Sequence, residues 1–113
     1  LKAKYPAVPF IGFPRGASFL YEDYCREVGV SAIGLDTQVP PEYAAKNLQP
    51  LCAVQGNLDP FTLVAGGDEL LRQCDLICDR FAGGPHIFNL GHGIDKETPP
   101  HHVELLLNRI RSR

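Results

Sequence analysis

At 113 residues the chain fits a single domain, and its apolar fraction of 44% is that of an ordinary globular protein. No apolar run approaches the ~18 residues that a membrane-spanning helix needs, and no secretory leader is visible at the start. A formal net charge of −2, from 11 Lys and Arg against 13 Asp and Glu, leaves no basic footprint for nucleic acid.

Four apolar runs read as strands: Val8–Phe13, Ser31–Leu35, Leu51–Leu58 and His86–Leu90. They lack strict alternation, as strands covered on both faces of a parallel sheet do. The first helix is expected from about Ser18 to Val28. Ser18 can cap it, Gly29 can end it, and Leu20, Tyr24 and Val28 form one apolar stripe. A short helix near Pro41–Asn47 follows the second strand. Asp59-Pro60 then pairs an N-cap residue with a proline at the first helical position, where its missing N–H costs nothing. The next helix is expected over about Asp68–Ala82. Leu70, Cys74, Ile77, Cys78 and Phe81 recur there at helical spacing, and Gly83-Gly84 provides the stop. Thr98-Pro99 opens the last helix, where Val103, Leu106, Leu107 and Ile110 make an i, i+3, i+4, i+7 stripe. Arg109, Arg111 and Arg113 suit its C-terminal end.

The order β-α-β-α-β-α-β-α implies a parallel sheet with right-handed crossovers. No repeat beyond that alternation, no low-complexity tract and no linker divides the chain, so residues 1–113 read as one segment. Periodicity leaves two architectures open, a half-barrel and a small open α/β sheet.

The cysteines at 25, 52, 74 and 78 read as buried free thiols of a reducing compartment rather than as a disulfide framework. Cys74-x-x-x-Cys78 lacks the spacing and further ligands of a zinc site, and its helical phase puts it in the core. His101 and His102 open a helix, do not share a face, and are both expected to be exposed. Gly12 through Gly16 forms neither a dinucleotide fingerprint nor a phosphate loop.

The chemistry concentrates near the C-terminus, in Gly83-Gly84-Pro85-His86-Ile87-Phe88-Asn89-Leu90-Gly91-His92-Gly93-Ile94. A short apolar run ends in Asn, Gly and His, and reads as a buried strand delivering His92 to a surface. Gly91 and Gly93 on either side leave room for a bulky ligand to approach the backbone. By its residues alone His92 reads equally as a ligand contact or as a loop histidine bonded to local backbone. Arg15 follows the first strand and precedes a helix N-terminus, where its guanidinium either helps attract an anion or stands solvated. Asp36 ends the second strand and either caps the following turn or orients a partner. Asn57 and Asp59 are expected to hold the next strand-to-helix turn, with Asp59 as its cap.

Val54-Gln55-Gly56-Asn57-Leu58-Asp59-Pro60 and Asn89-Leu90-Gly91-His92-Gly93-Ile94 match the C-terminal end of uroporphyrinogen decarboxylase in order and spacing. The chain resembles that family along nearly all of its length. The resemblance implies an α/β fold, with four parallel β-α units forming the C-terminal half of a (β/α)8 TIM barrel. A complete barrel has ~250 residues, so the N-terminal half is missing from these residues. The start at Leu1 and the absence of any Met agree with that reading. In such barrels the active site forms at the C-terminal strand ends, which singles out Phe13–Ser18, Asp36–Val39, Asn57–Asp59 and Asn89–Ile94.

The implied activity is removal of carbon dioxide from the four acetate side chains of uroporphyrinogen III, giving coproporphyrinogen III in porphyrin and haem biosynthesis. The family works without metal or organic cofactor, typically as a cytoplasmic homodimer. His92 is implied to lie in the substrate pocket, and Arg15 is the second candidate for substrate binding. The family's arginine-rich N-terminal segment and essential aspartate fall outside these residues, so no catalytic residue is assigned and this segment alone is expected to be inactive. An isolated half-barrel would leave strand edges open; it is expected to dock on the other half or on another copy. The family usually has an aromatic residue where Thr37 stands, so local pocket packing is expected to differ. Two rivals remain: a related zinc- and corrinoid-dependent methyltransferase, whose His-x-Cys pair is absent here, and a non-catalytic α/β module.

Overall fold

The computed structural model describes Leu1 and residues 3–113. Among the described residues, four strands form one parallel sheet in chain order: β1 (Ile11–Gly12), β2 (Ala32–Gly34), β3 (Ala53–Gln55) and β4 (His86–Ile87). Ile11 pairs with Ala32, Ile33 with Val54, and Val54 with His86. Parallel neighbours need crossovers. These are supplied by α1 (Tyr21–Val28), α2 (Pro41–Asn47), and α3 (Pro60–Ala65) with α4 (Gly67–Arg80); α5 (Pro100–Arg111) follows β4. The four β-α units expected from the alternation are present, in the arrangement of half a (β/α)8 barrel. The central strands carry the core: Ile33, Leu35, Val54 and Leu58 are buried together with Leu63, Leu70, Cys74 and Phe81. The edge strands β1 and β4 leave Ile11 and Ile87 exposed, and Phe13, just after β1, is exposed as well.

The strands are shorter than their apolar runs, for a hydrogen-bonding reason. The Val8 N–H donates to Tyr5 O, and the Leu51 N–H donates to Leu48 O as the chain leaves α2. An amide spent on a turn cannot join a ladder. Beyond β3 and β4 the ladder resumes as a bridge between Leu58 and Leu90, past a cis peptide between Gly56 and Asn57.

The first helix differs most. It begins with a short 3-10 turn at Ser18–Leu20, and the N-cap of α1 is Leu20, not Ser18. Its buried face is Tyr21 and Cys25; Leu20 and Val28 of the expected stripe are exposed. A polar contact sets this phase, because the Tyr21 hydroxyl reaches inward to Asp36. Gly29 ends the helix as expected, in the left-handed region at φ 68°. Helix α2 has the expected bounds, and Asp59 caps α3 by accepting from the Phe61 N–H at 2.9 Å. Helix α4 buries Leu70, Cys74 and Ile77, and Phe81 follows as its C-cap; the chain leaves the helix before Gly83-Gly84.

In α5 the first helical residue is Pro100, and Leu106, Val103 and Ile110 face the core while Leu107 is exposed. Arg109 and Arg113 pair with Asp75 and Asp79 of α4. His102 is not exposed as expected: it is half-buried, with Nδ1 2.8 Å from Leu63 O and its ring against Gly66. The contact between α3 and α5 accounts for this, since it brings His102 over the end of α3. All four cysteines are free, with Cys25 Sγ 3.7 Å from Cys52 Sγ.

Candidate functional site

The loops after all four strands meet in one cleft of about 580 Å³. The first loop brings Arg15, the second Asp36, Thr37 and Gln38, the third Asp59 with Pro60 and Phe61, and the fourth Gly91, His92, Gly93 and Asp95. Arg15 and His92, 77 positions apart in the chain, therefore line one cavity at the C-terminal edge of the sheet, and both are exposed to it. A short parallel strand ends by pointing its following loop past the sheet edge, which is why these loops converge.

Asp36 is the brace of this edge. Its Oδ2 accepts from the Gly16 N–H and from the Tyr21 hydroxyl, both at 2.8 Å, and its Oδ1 accepts from the Gln38 N–H at 2.9 Å. Burial pushes its pKa up, but the three donors and the nearby Arg15 charge outweigh burial and hold the carboxyl below its ordinary range. The carboxylate caps the following turn through Gln38, and it also reaches back to the loop that carries Arg15. Tyr21 stays a protonated donor: burial pushes its hydroxyl up to about 12, with the Asp36 backbone contact opposing this and the Asp36 charge adding to it.

The two glycines around His92 have different jobs. A side chain at Gly91 would collide with Thr37, 2.6 Å from both its N and its Oγ1. Gly91 thus admits the neighbouring loop, not a ligand. At Gly93 no atom of the described residues lies within 4 Å of the point where a Cβ would stand, so the backbone there is open to the cleft. Asn57 also departs from expectation. Its side chain does not hold its own turn; Nδ2 donates to Asp36 O at 2.9 Å and Val39 O at 2.7 Å, across to the loop after β2.

Two features were not singled out from the sequence. A second, mostly apolar cleft of about 500 Å³ shares Asp36 and Gln38 with the first and is walled by Phe19, Val39, Pro40 and Tyr43. His86 sits on β4 with its ring against Phe81 at 4.6 Å and Nε2 2.6 Å from Gly56 O. Burial lowers its pKa and the Gly56 contact only partly opposes this. Because a carbonyl only accepts, Nε2 carries the proton of a neutral ring. Strand position and aromatic neighbours were the signal for His86; nothing in local sequence marks the second cleft.

A sequence profile described as uroporphyrinogen decarboxylase (URO-D) matches residues 1–113. The chain belongs to the uroporphyrinogen decarboxylase family. It is 54% identical over 112 residues to the uroporphyrinogen decarboxylase of Granulibacter bethesdensis, covering 99% of this chain and 33% of that protein. It is 51% identical over 112 residues to that of Rhodospirillum rubrum, with 99% and 32% covered. Against that of Maricaulis maris it is 55% identical over 106 residues, with 94% and 31% covered. The chain spans about a third of the length of the curated relatives it matches. Within this uroporphyrinogen decarboxylase family chain, Arg15 offers a cation and His92 a donor or acceptor on a cleft whose carboxylates each accept a backbone N–H: Asp36 from Gly16 and Gln38, Asp59 from Phe61, Asp95 from Glu97. Among the described residues, no helix is long and apolar enough to cross a membrane.

Proposed function

We propose that this chain is the C-terminal part of a uroporphyrinogen decarboxylase, which converts uroporphyrinogen III to coproporphyrinogen III. The observation that carries the reading is the single cleft at the C-terminal strand ends that holds Arg15 and His92 together in a chain of this family. Each of four acetate side chains is exchanged for a methyl group. Protonation of a pyrrole carbon turns the ring into an electron sink. The bond between the acetate methylene and its carboxylate then breaks, its electron pair moves into the ring, and carbon dioxide leaves. A second protonation, on the methylene carbon, gives the methyl group, and loss of the proton first added to the ring carbon restores the pyrrole, so one proton is consumed for each carbon dioxide released.

In this reading Arg15 pairs with a substrate carboxylate and His92 hydrogen-bonds a carboxylate or a pyrrole N–H. The open backbone at Gly93 lets the macrocycle approach. The proton donor comes from the rest of the polypeptide, which covers the exposed apolar residues of β1 and β4 and completes the barrel. The enzyme acts in the cytoplasm, as the four free thiols of this chain favour, and as a homodimer, without metal or organic cofactor. In the full-length enzyme, His92→Asn lowers kcat/KM by about 10-fold or more, the scale of one lost charge-assisted hydrogen bond, with unchanged thermal unfolding. Unaltered kinetics over all four decarboxylations would remove His92 from the substrate site.

A further inference from the structure

Asn57 is 5% exposed, and both of its amide hydrogens are committed to backbone carbonyls of one segment, Asp36 O and Val39 O. Two acceptors fix which end of the amide faces them, so the orientation is set by chemistry. Its Oδ1 is buried and has no hydrogen-bond partner among the described residues. An orphaned buried oxygen is a cost that an apolar residue of similar size would avoid, and such an exception calls for a reason.

The reason lies in what the tied segment touches. Segment 36–39 packs through Thr37 against Gly91, so closely that no Cβ fits between them. The Gly91 N–H donates to Leu58 O at 2.8 Å, next to Asn57 itself. His92 is the following residue. In the other direction the same segment holds Gly16, through the Asp36 carboxylate, beside Arg15. Arg15 and His92, on the loops after β1 and β4, thus both lie next to residues that contact segment 36–39, which Asn57 ties to β3 through two buried bonds.

We propose that Asn57 is a positioning residue for the substrate cleft, fixing His92 through Thr37 and Gly91 and, secondarily, Arg15 through Asp36. The kinetic part of this inference rests on the decarboxylase reading; the structural part does not. The test uses the full-length enzyme with Asn57→Ala and His92→Asn, singly and together. Asn57→Ala is expected to lower kcat/KM for uroporphyrinogen by about 10-fold in the wild-type background, and by less than about threefold once His92 is already Asn, because residues acting through one another are not additive. Equal losses in both backgrounds would overturn the proposal. Asn57→Leu, close in size and lacking both donors, is expected to give the same pattern and replaces Asn57→Ala if that variant fails to fold. Imidazole NMR supplies the readout independent of turnover. Either variant shifts the His92 resonances and leaves those of His101, exposed on α5, in place. If the wild-type enzyme does not turn over uroporphyrinogen, the decarboxylase reading fails alone provided His92 still moves. An unmoved His92 signal overturns the positioning role whatever the activity.

Discussion

Removing one oxygen atom from Tyr21 tests the brace under the cleft. The Tyr21 side chain is fully buried, and its hydroxyl donates to Asp36 Oδ2 at 2.8 Å while accepting from the Asp36 N–H at 3.3 Å. Tyr21→Phe leaves the ring packing in place and strips both contacts. A hydrogen bond to a charged group contributes about 1.5–3 kcal/mol, and Asp36 is only 7% exposed, so solvent cannot take the hydroxyl's place. A loss of about 2 kcal/mol at pH 7 is expected from denaturant unfolding of the full-length enzyme. The sign of the pH dependence follows from Asp36, whose carboxyl is held below its ordinary range when folded. Its contribution is present above the unfolded value of about 3.9 and is lost as pH falls through the lower folded value. The difference between wild type and Tyr21→Phe is therefore full at pH 7 and shrinks only as pH falls below the ordinary carboxylate range and Asp36 is protonated in the folded state, toward the ~1 kcal/mol of a neutral hydrogen bond. A difference below about 0.5 kcal/mol at pH 7, or one that does not change with pH, would refute the argument.

Gly56 has φ 132°, and a Cβ there would lie 2.9 Å from Leu35 O, so Gly56→Ala is expected to destabilise by about 1–3 kcal/mol in the same unfolding assay. Burial pushes the Cys25 and Cys74 thiols up to about 12, with Cys52 and Cys78 as secondary contributors. Both should resist iodoacetamide at pH 8 in the folded enzyme and react once it is unfolded, as mass spectrometry of the labelled peptides will report. Arg15→Gln in the full-length enzyme is expected to raise KM for uroporphyrinogen by about 10-fold with a smaller change in kcat, as for a residue that binds a carboxylate in ground and transition states alike.

The sequence carried the architecture well because the signals for it were local. Four apolar runs separated by Gly, Pro and capping residues are enough to place parallel β-α units, and Pro41–Asn47 and the Asp59 cap were legible to the residue. The phase of α1 was not. Leu20, Tyr24 and Val28 make a sound stripe on a helical wheel, yet the helix turns Tyr21 and Cys25 inward because a hydroxyl 15 positions away from a carboxylate bonds to it. Such a partner is invisible to periodicity. His102 failed for the same reason, its environment being made by α3, distant in sequence.

The site was legible in outline, less so in detail. Arg15 and His92 could be nominated because both follow strands, and the rule that barrel sites form at strand ends places them together. The division of labour between Gly91 and Gly93 could not, since both are simply glycines beside a histidine; only the position of Thr37 separates a packing glycine from an open one. In sequence Asn57 reads as a residue of its own turn, where asparagine commonly serves. Its two bonds to the loop after β2 cross between strands, and no local pattern encodes them.

The central claim is the decarboxylation itself. Its most direct measurement is conversion of uroporphyrinogen III by the full-length enzyme, followed as coproporphyrinogen III, in the presence of a strong metal chelator. Turnover that survives chelation is the predicted result. A folded enzyme that releases no coproporphyrinogen, or one whose turnover stops on chelation and returns with zinc, would contradict the account.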